Sequence, residues 1–277
     1  MSPPAHTSWP MLDLGLQRSP EVGTGEVLLL VPLGSMEQHG PHLPLSTDSV
    51  VAASVARSAA EILGGEGRRV LVAPILAYGN SGEHEGFPGT ISIGHEALHL
   101  LLVEFGRSAC RWAQGLIFVN GHGGNVATLR SAVDVLRYEG RPVAWTSCDL
   151  PGADAHAGRT ETSLLLELTP HAVRTDAVEA GCTLPLEQLL PRLRREGVRA
   201  VSHNGVLGDP TLATRQEGHA LAQTLVRNLL DELHTLDVTD TGRLARPTAR
   251  GPTSEAVHPG RATTGQPSRA SHPGEPA

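Results

Sequence analysis

Four short apolar runs, at residues 26–33, 69–78, 115–119 and 141–147, recur along this 277-residue chain, separated by longer stretches with apolar residues at helical spacing. The first run, Glu26-Val27-Leu28-Leu29-Leu30-Val31-Pro32-Leu33, is apolar at successive rather than alternate positions. A strand of that kind has to be buried on both faces. The helical stretches are residues 48–63, closed by the stop signal Gly64-Gly65, then 94–114, 125–138 and 159–168. This alternation predicts an α/β fold, a three-layer sandwich of a parallel sheet with helices on both faces. Residues 170–210 are irregular apart from a short Leu-rich helix at 184–195, and an amphipathic helix at 211–236 closes the domain. Aromatic residues make up only 3 % of the chain, so Leu, Val, Ile and Ala have to fill the layers. The expected organisation is an N-terminal extension at 1–25, a single domain at 26–236 and a tail at 237–277. Rich in Pro, Gly and Ser, that tail has too few bulky apolar residues to offset the entropy of ordering and is expected to be disordered.

Charge and residue usage remove several classes of function. The net charge is −7, and no stripe of Arg could neutralise a run of phosphates, which argues against nucleic acid as a partner. All 22 basic residues are Arg, so neither a Schiff-base lysine nor a phosphate-loop lysine is possible. Cys110, Cys148 and Cys182 are widely spaced and odd in number, as expected of reduced thiols in a cytoplasmic protein. Prolines interrupt the amino terminus where a signal peptide needs an apolar run, and no segment has the ~20 apolar residues that span a bilayer.

Metal-ligating residue types gather where predicted strands end, the place where ligands bind in open α/β sheets. Glu37 and His39 lie two apart just after the first run, so an extended backbone would point both to one side. Asp48 opens the following helix, His122 lies in Asn120-Gly121-His122-Gly123-Gly124, and Glu161 falls in the first turn of the helix at 159–168. Carboxylate and imidazole donors from several segments can hold two divalent ions, Zn2+, Fe2+ or Mn2+, side by side with a water between them. His156, with a side chain that titrates near neutral pH, is the expected proton shuttle to a leaving amine. Taken singly, each residue has a plainer role: Asp48 as a helix N-cap, His122 in a glycine-rich turn, Glu161 in a capping box. His-Gly-Gly also occurs in serine-esterase oxyanion holes, but no Gly-x-Ser-x-Gly elbow accompanies it. His42 is a candidate to steady a ligand, and Ser81–Thr90 a loop over the site in which Glu83 and His84 serve the substrate or the loop itself, with a place among the ligands as the alternative. His6, His99, His171, His203, His219, His234, His258 and His272 are assigned to surface or packing.

Taken together, Gly34-Ser35-Met36-Glu37-Gln38-His39-Gly40-Pro41-His42-Leu43-Pro44-Leu45-Ser46-Thr47-Asp48, Asn120-Gly121-His122 and His156-Ala157-Gly158-Arg159-Thr160-Glu161-Thr162-Ser163 resemble the creatininase family of metal-dependent amidohydrolases. The likeness covers roughly residues 26–235 and extends to the family's mycofactocin branch through Tyr78-Gly79, Gly82–Phe87 and Val206–Pro210. It implies that Glu37, Asp48 and His122 bind one ion and His39, Asp48 and Glu161 the other, in a homo-oligomer. It further implies a peptidase whose substrate is a modified precursor peptide, cut near its carboxyl end to release a small Val-Tyr-derived lactam. Creatinine-cleaving members carry a ligand Glu two residues past the His of Asn-Gly-His, where this chain has Gly124. That difference argues against creatinine and leaves Glu161 to supply the carboxylate. The alternative substrate is a small cyclic amide or formamide.

Overall fold

The computed structural model describes residues 12–23 and 25–246. Four parallel strands, β1 (Leu28–Leu33), β2 (Val70–Val72), β3 (Gly115–Asn120) and β4 (Val143–Ser147), form one sheet in the order β2-β1-β3-β4. Among the described residues, six helices of ten or more residues accompany them: α1 (Thr47–Gly65), α2 (Gly94–Ala109), α3 (Val126–Tyr138), α4 (Arg159–Leu168), α5 (Leu186–Glu196) and α6 (Arg215–Thr235).

The central strands show why their sequences are apolar throughout. In β1, Leu28 and Leu30 join a core with α1, α4 and α6, whereas Leu29, Val31 and Leu33 join the core formed with α2 and α3. In β3, Ile117 and Val119 face the first core, and Leu116 and Phe118 the second. Alternate residues of a strand point to opposite faces, so both faces are covered and the molecule is the expected three-layer sandwich. Among the described residues, no helix is long and apolar enough to cross a membrane.

Several boundaries differ from the sequence expectation, each for a local reason. The strand expected at 69–78 is only Val70–Val72, because the ladder slips after it: Ala73 N donates to the Leu30 carbonyl at 2.9 Å, but the next bond to β1 comes three residues on, from Leu76 N to the Pro32 carbonyl at 3.0 Å, where a regular ladder steps by two. α2 stops at Ala109 rather than 114, since the chain has to turn before Gln114 N donates to the Val27 carbonyl (2.8 Å) at the start of β3. α6 starts at Arg215, where the Thr214 hydroxyl caps it by accepting from Glu217 N at 3.2 Å.

The two expected flanks also contribute. Asp13 bridges to Val72, and Leu12, Leu14 and Val22 pack against the cores. Residues 237–246, expected in the tail, run beside β4: Trp145 N donates to the Gly242 carbonyl (3.0 Å) and Leu244 N to the Trp145 carbonyl (2.8 Å). Leu244 is buried, and Arg246 reaches the buried Glu232 of α6 at 3.2 Å. An edge strand otherwise presents unpaired backbone groups, and this segment covers those of β4. The expected disorder of residues 247–277 lies outside the described residues.

α4 and α6 approach closely enough that a Cβ on Gly218 would lie 1.8 Å from the Ser163 carbonyl oxygen. Gly218→Ala should therefore push the two helices apart and cost about 1–3 kcal/mol, read as a lower urea midpoint. An unchanged midpoint would contradict this packing.

Candidate metal centre

β1 and β3 are neighbours, but the chain leaves β1 for β2 on one side and leaves β3 for β4 on the other. Connections after such a pair diverge and open a crevice at the strands' carboxyl ends. Residues 34–48 leave the end of β1 at Leu33, which pairs with Asn120 at the end of β3. Asn125 Nδ2 donates to the Gly34 carbonyl (3.0 Å) and locks the two segments together, and Asn120 Nδ2 donates to the His122 carbonyl (2.7 Å) and braces the second. Gly121 lets α1 close on them, because a Cβ there would fall 2.4 Å from the Asp48 carbonyl oxygen.

All five residues expected as ligands, and His156, meet in this crevice. Glu37, Asp48 and His122 bring one donor atom each within 4.8 Å of one another; so do His39, Asp48 and Glu161, and so do Glu37, His39 and His156. Asp48 lies between two histidines, with Oδ1 3.2 Å from His39 Nε2 and Oδ2 3.2 Å from His122 Nδ1, and Ser35 Oγ donates to Oδ2 at 2.6 Å. It makes no N-cap bond to α1. Glu161 does serve the turn before α4, since Oε2 accepts from Ala157 N at 2.6 Å, and the same oxygen lies 3.9 Å from His39 Nε2.

Backbone carbonyls determine which ring nitrogen of each histidine faces the carboxylates. His39 Nδ1 lies 3.1 Å from the Glu37 carbonyl, His122 Nε2 3.0 Å from the Asn80 carbonyl and His156 Nε2 2.7 Å from the Gln38 carbonyl. A carbonyl only accepts, so in the neutral rings the protons sit on those atoms. The lone pairs of His39 Nε2, His122 Nδ1 and His156 Nδ1 then turn toward the acidic groups. Metal-ligating histidines usually have this arrangement, with the second nitrogen donating to a fixed acceptor. Glu37 adds a separate requirement. It is fully buried, and neither carboxylate oxygen has a hydrogen bond; the nearest nitrogens, His122 Nε2 at 3.2 Å and His84 Nε2 at 3.4 Å, are not aligned to donate. A buried anion without donors needs a cation, so the residues present fit divalent ions.

The electrostatics agree. Burial opposes charge on Glu37, but His122 and His84 together outweigh it and draw the carboxyl down to about 2. Burial likewise opposes the ionisation of Asp48, and His39 and His122 hold its carboxyl well below the usual range. Against the same burial, Asp48 lifts His39 to about 10 and Glu37 lifts His122 well above its ordinary value. Burial raises Glu161 to about 7. His156 is held well below its ordinary value by burial and by His39 and His84, which leaves it neutral.

His84, for which the sequence favours a substrate or loop role over that of a ligand, belongs to this centre. It is buried on the single turn Gly82–His84, and the Gln38 side-chain amide donates to its Nδ1 at 2.9 Å, leaving the proton on the Nε2 that faces Glu37. Glu83 also approaches. Its Oε1 is 3.7 Å from His122 Nε2 and would lie 2.7 Å from a Cβ on Gly124, so a carboxylate from another segment fills the space beside that glycine. The Gly-Glu-His-Glu-Gly run was the sequence signal for both. His42 steadies α4 rather than a ligand directly, pairing with the Thr162 hydroxyl at 2.8 Å. Burial pushes the Cys148 thiol up to about 12, so it is not poised as a nucleophile. His99, His171, His203, His219 and His234 lie away from the centre; His6, His258 and His272 are outside the described residues. The donors open into a cavity of about 970 Å3 whose wall also includes the loop at 82–86 and α5.

Comparison with known proteins agrees with this geometry. The family model for creatininase, described as creatinine amidohydrolase, matches residues 17–233. A mycofactocin precursor peptide peptidase from Mycolicibacterium smegmatis is 53% identical over 229 residues, covering 82% of this chain and 92% of the relative. A creatinine amidohydrolase from Pseudomonas putida is 28% identical, covering 76% and 90%. Among solved structures, a manganese creatininase superimposes with a TM-score of 0.70 at 26% identity, covering 81% of this chain and 98% of that one. Motif order, sheet topology and family match coincide: the chain belongs to the creatininase family of metal-dependent amide-bond hydrolases.

Proposed function

We propose that this chain is a dinuclear peptidase that cuts the modified mycofactocin precursor peptide near its carboxyl end and releases a Val-Tyr-derived lactam. The observation that carries the reading is the joining of the donor cluster to one cavity of about 970 Å3. That volume is at the top of the roughly 300–1,000 Å3 range of small-molecule sites and suits a peptide better than a cyclic amide of a few atoms. The 53% identity to a peptidase of that name supports the substrate. A homo-oligomer belongs to the same reading, supported by Leu100 and Leu101 of α2, which are 61% and 38% exposed.

Glu37, Asp48 and His122 would hold one divalent ion, and His39, Asp48 and Glu161 the other, with Asp48 shared. Bound there, such ions acidify water and polarise a carbonyl. The remaining work falls to the chain. His156 is neutral with its Nδ1 lone pair toward the centre, so it can take a proton from the attacking water and return it to the leaving amine nitrogen. His84 offers Nε2–H to the same space and can steady the oxygen that gains charge. α5, with Leu190 and Leu193 on the cavity wall, limits the water around them.

Two predictions follow from these roles. His156→Ala should lower turnover of the modified peptide by about 100- to 10,000-fold while metal content, measured by mass spectrometry of the intact protein, stays at the native level. Loss of metal together with activity would make His156 a ligand instead; cleavage of cyclic amides but not the peptide by the native chain would replace the substrate assignment.

The second concerns protons. At neutral pH the metal-free centre keeps protons on His39 and His122, whose values are raised, and partly on Glu161, so an entering cation has to displace them. Affinity should therefore rise with pH between 6 and 8, and calorimetric heats of Zn2+ or Mn2+ binding should vary with the ionisation enthalpy of the buffer. Heats independent of buffer would contradict this linkage.

A further inference from the structure

The chain is acidic overall, with a net charge of −7, yet Arg130 of α3, Arg194 and Arg195 of α5, and Arg199 all line the cavity that holds the donor cluster. Two of the four are already engaged. Arg199 donates to the Gly86 carbonyl at 2.7 Å and lies over the Phe87 ring, and Arg195 pairs with Glu196 at 3.4 Å. Arg130 and Arg194 are exposed and, among the described residues, have neither a hydrogen bond nor an ion pair. The acidic groups on the same wall do not answer them. Glu196 is shared between Arg192 and Arg195, and Glu83 turns toward His122. Beside these arginines Leu186, Leu190 and Leu193 supply an apolar strip along the cavity.

A guanidinium presents a planar fork of donors that matches a carboxylate, and one left unpaired at a cavity wall is free for a ligand. We propose that Arg130 and Arg194 form a carboxylate-binding subsite for the stretch of peptide that flanks the bond to be cut, with Leu186, Leu190 and Leu193 receiving its apolar side chains. This deepens the peptidase reading and rests on it. The selected substrate is then a peptide with an acidic group near the scissile amide, and a small neutral amide gains nothing from this wall. Because both arginines are exposed, each contact is weak and salt-sensitive, and together they amount to about a five- to ten-fold preference.

The test measures binding apart from turnover, using the metal-loaded full chain and fluorescence anisotropy of three labelled decapeptides. One carries three Glu and an amidated end, the second has Gln in their place, and the third is the Gln peptide with a free terminal carboxylate. One or both carboxylate-bearing peptides should bind about five- to ten-fold tighter than the neutral one at low salt, and which of them does so identifies the side chain or the terminus as the source. Arg130→Gln combined with Arg194→Gln should abolish the preference, whereas Arg111→Gln, away from the cavity, should leave it intact. Equal binding of all three peptides, or a preference that survives the double substitution, would overturn the subsite. Cleavage of the modified precursor is followed in parallel. Preference without cleavage by the native chain removes the peptidase reading alone, and cleavage without preference removes the subsite alone.

Discussion

Two carboxylates that the fold shuts away from water, Glu37 and Asp48, set the terms for everything around them. A buried anion costs several kcal/mol unless cations or donors meet it, and Glu37 has no hydrogen bond at all. In the chain alone the compensation comes from His39 and His122, which keep protons they would otherwise lose near neutral pH. Those protons occupy the space between the donors. Divalent ions that displace those protons meet the same carboxylates, so the arrangement that makes the metal-free centre tolerable also makes it receptive.

The sheet brings this about by topology. Reversal of strand order between β1 and β3 opens the crevice, and the loops after β1 and β3, with the helix turn at Glu161, enter it from distant parts of the sequence. Precision comes from the backbone. Three peptide carbonyls orient three imidazoles, Asn120 braces the loop that carries His122, and Asn125 ties that loop to the one after β1 that carries His39. A side chain at Gly121 would force α1, and Asp48 with it, away from His122. The centre is therefore held by elements that are themselves buried and bonded, as a site that must keep its geometry through a reaction requires.

Much of this was legible in the sequence. Apolar runs at successive positions gave away β1 and β3, and residues such as Glu37, His39 and His122, placed just past strand ends, were conspicuous because that is where an α/β sheet gathers ligands. The motifs located the donors, but the distances that join them needed the fold. His84 and Glu83 were harder to place: their loop has no periodicity, and only the packing of Gly82–His84 against Gln38 shows that it enters the centre. Composition also misled at residues 237–246, where low apolar content hid a segment fixed by backbone pairing to β4, by buried Leu244 and by the ion pair of Arg246 with Glu232. The unpaired state of Arg130 and Arg194 had no sequence signature, since it depends on which acids lie near in space.

Anomalous X-ray scattering from crystals of the protein loaded with Mn2+ or Zn2+ would test the paired-cation assignment most directly. Two peaks are expected, one touching Glu37, Asp48 and His122, the other touching His39, Asp48 and Glu161. A fully loaded crystal with no scatterer between these side chains, or with metal bound only elsewhere on the molecule, would contradict it.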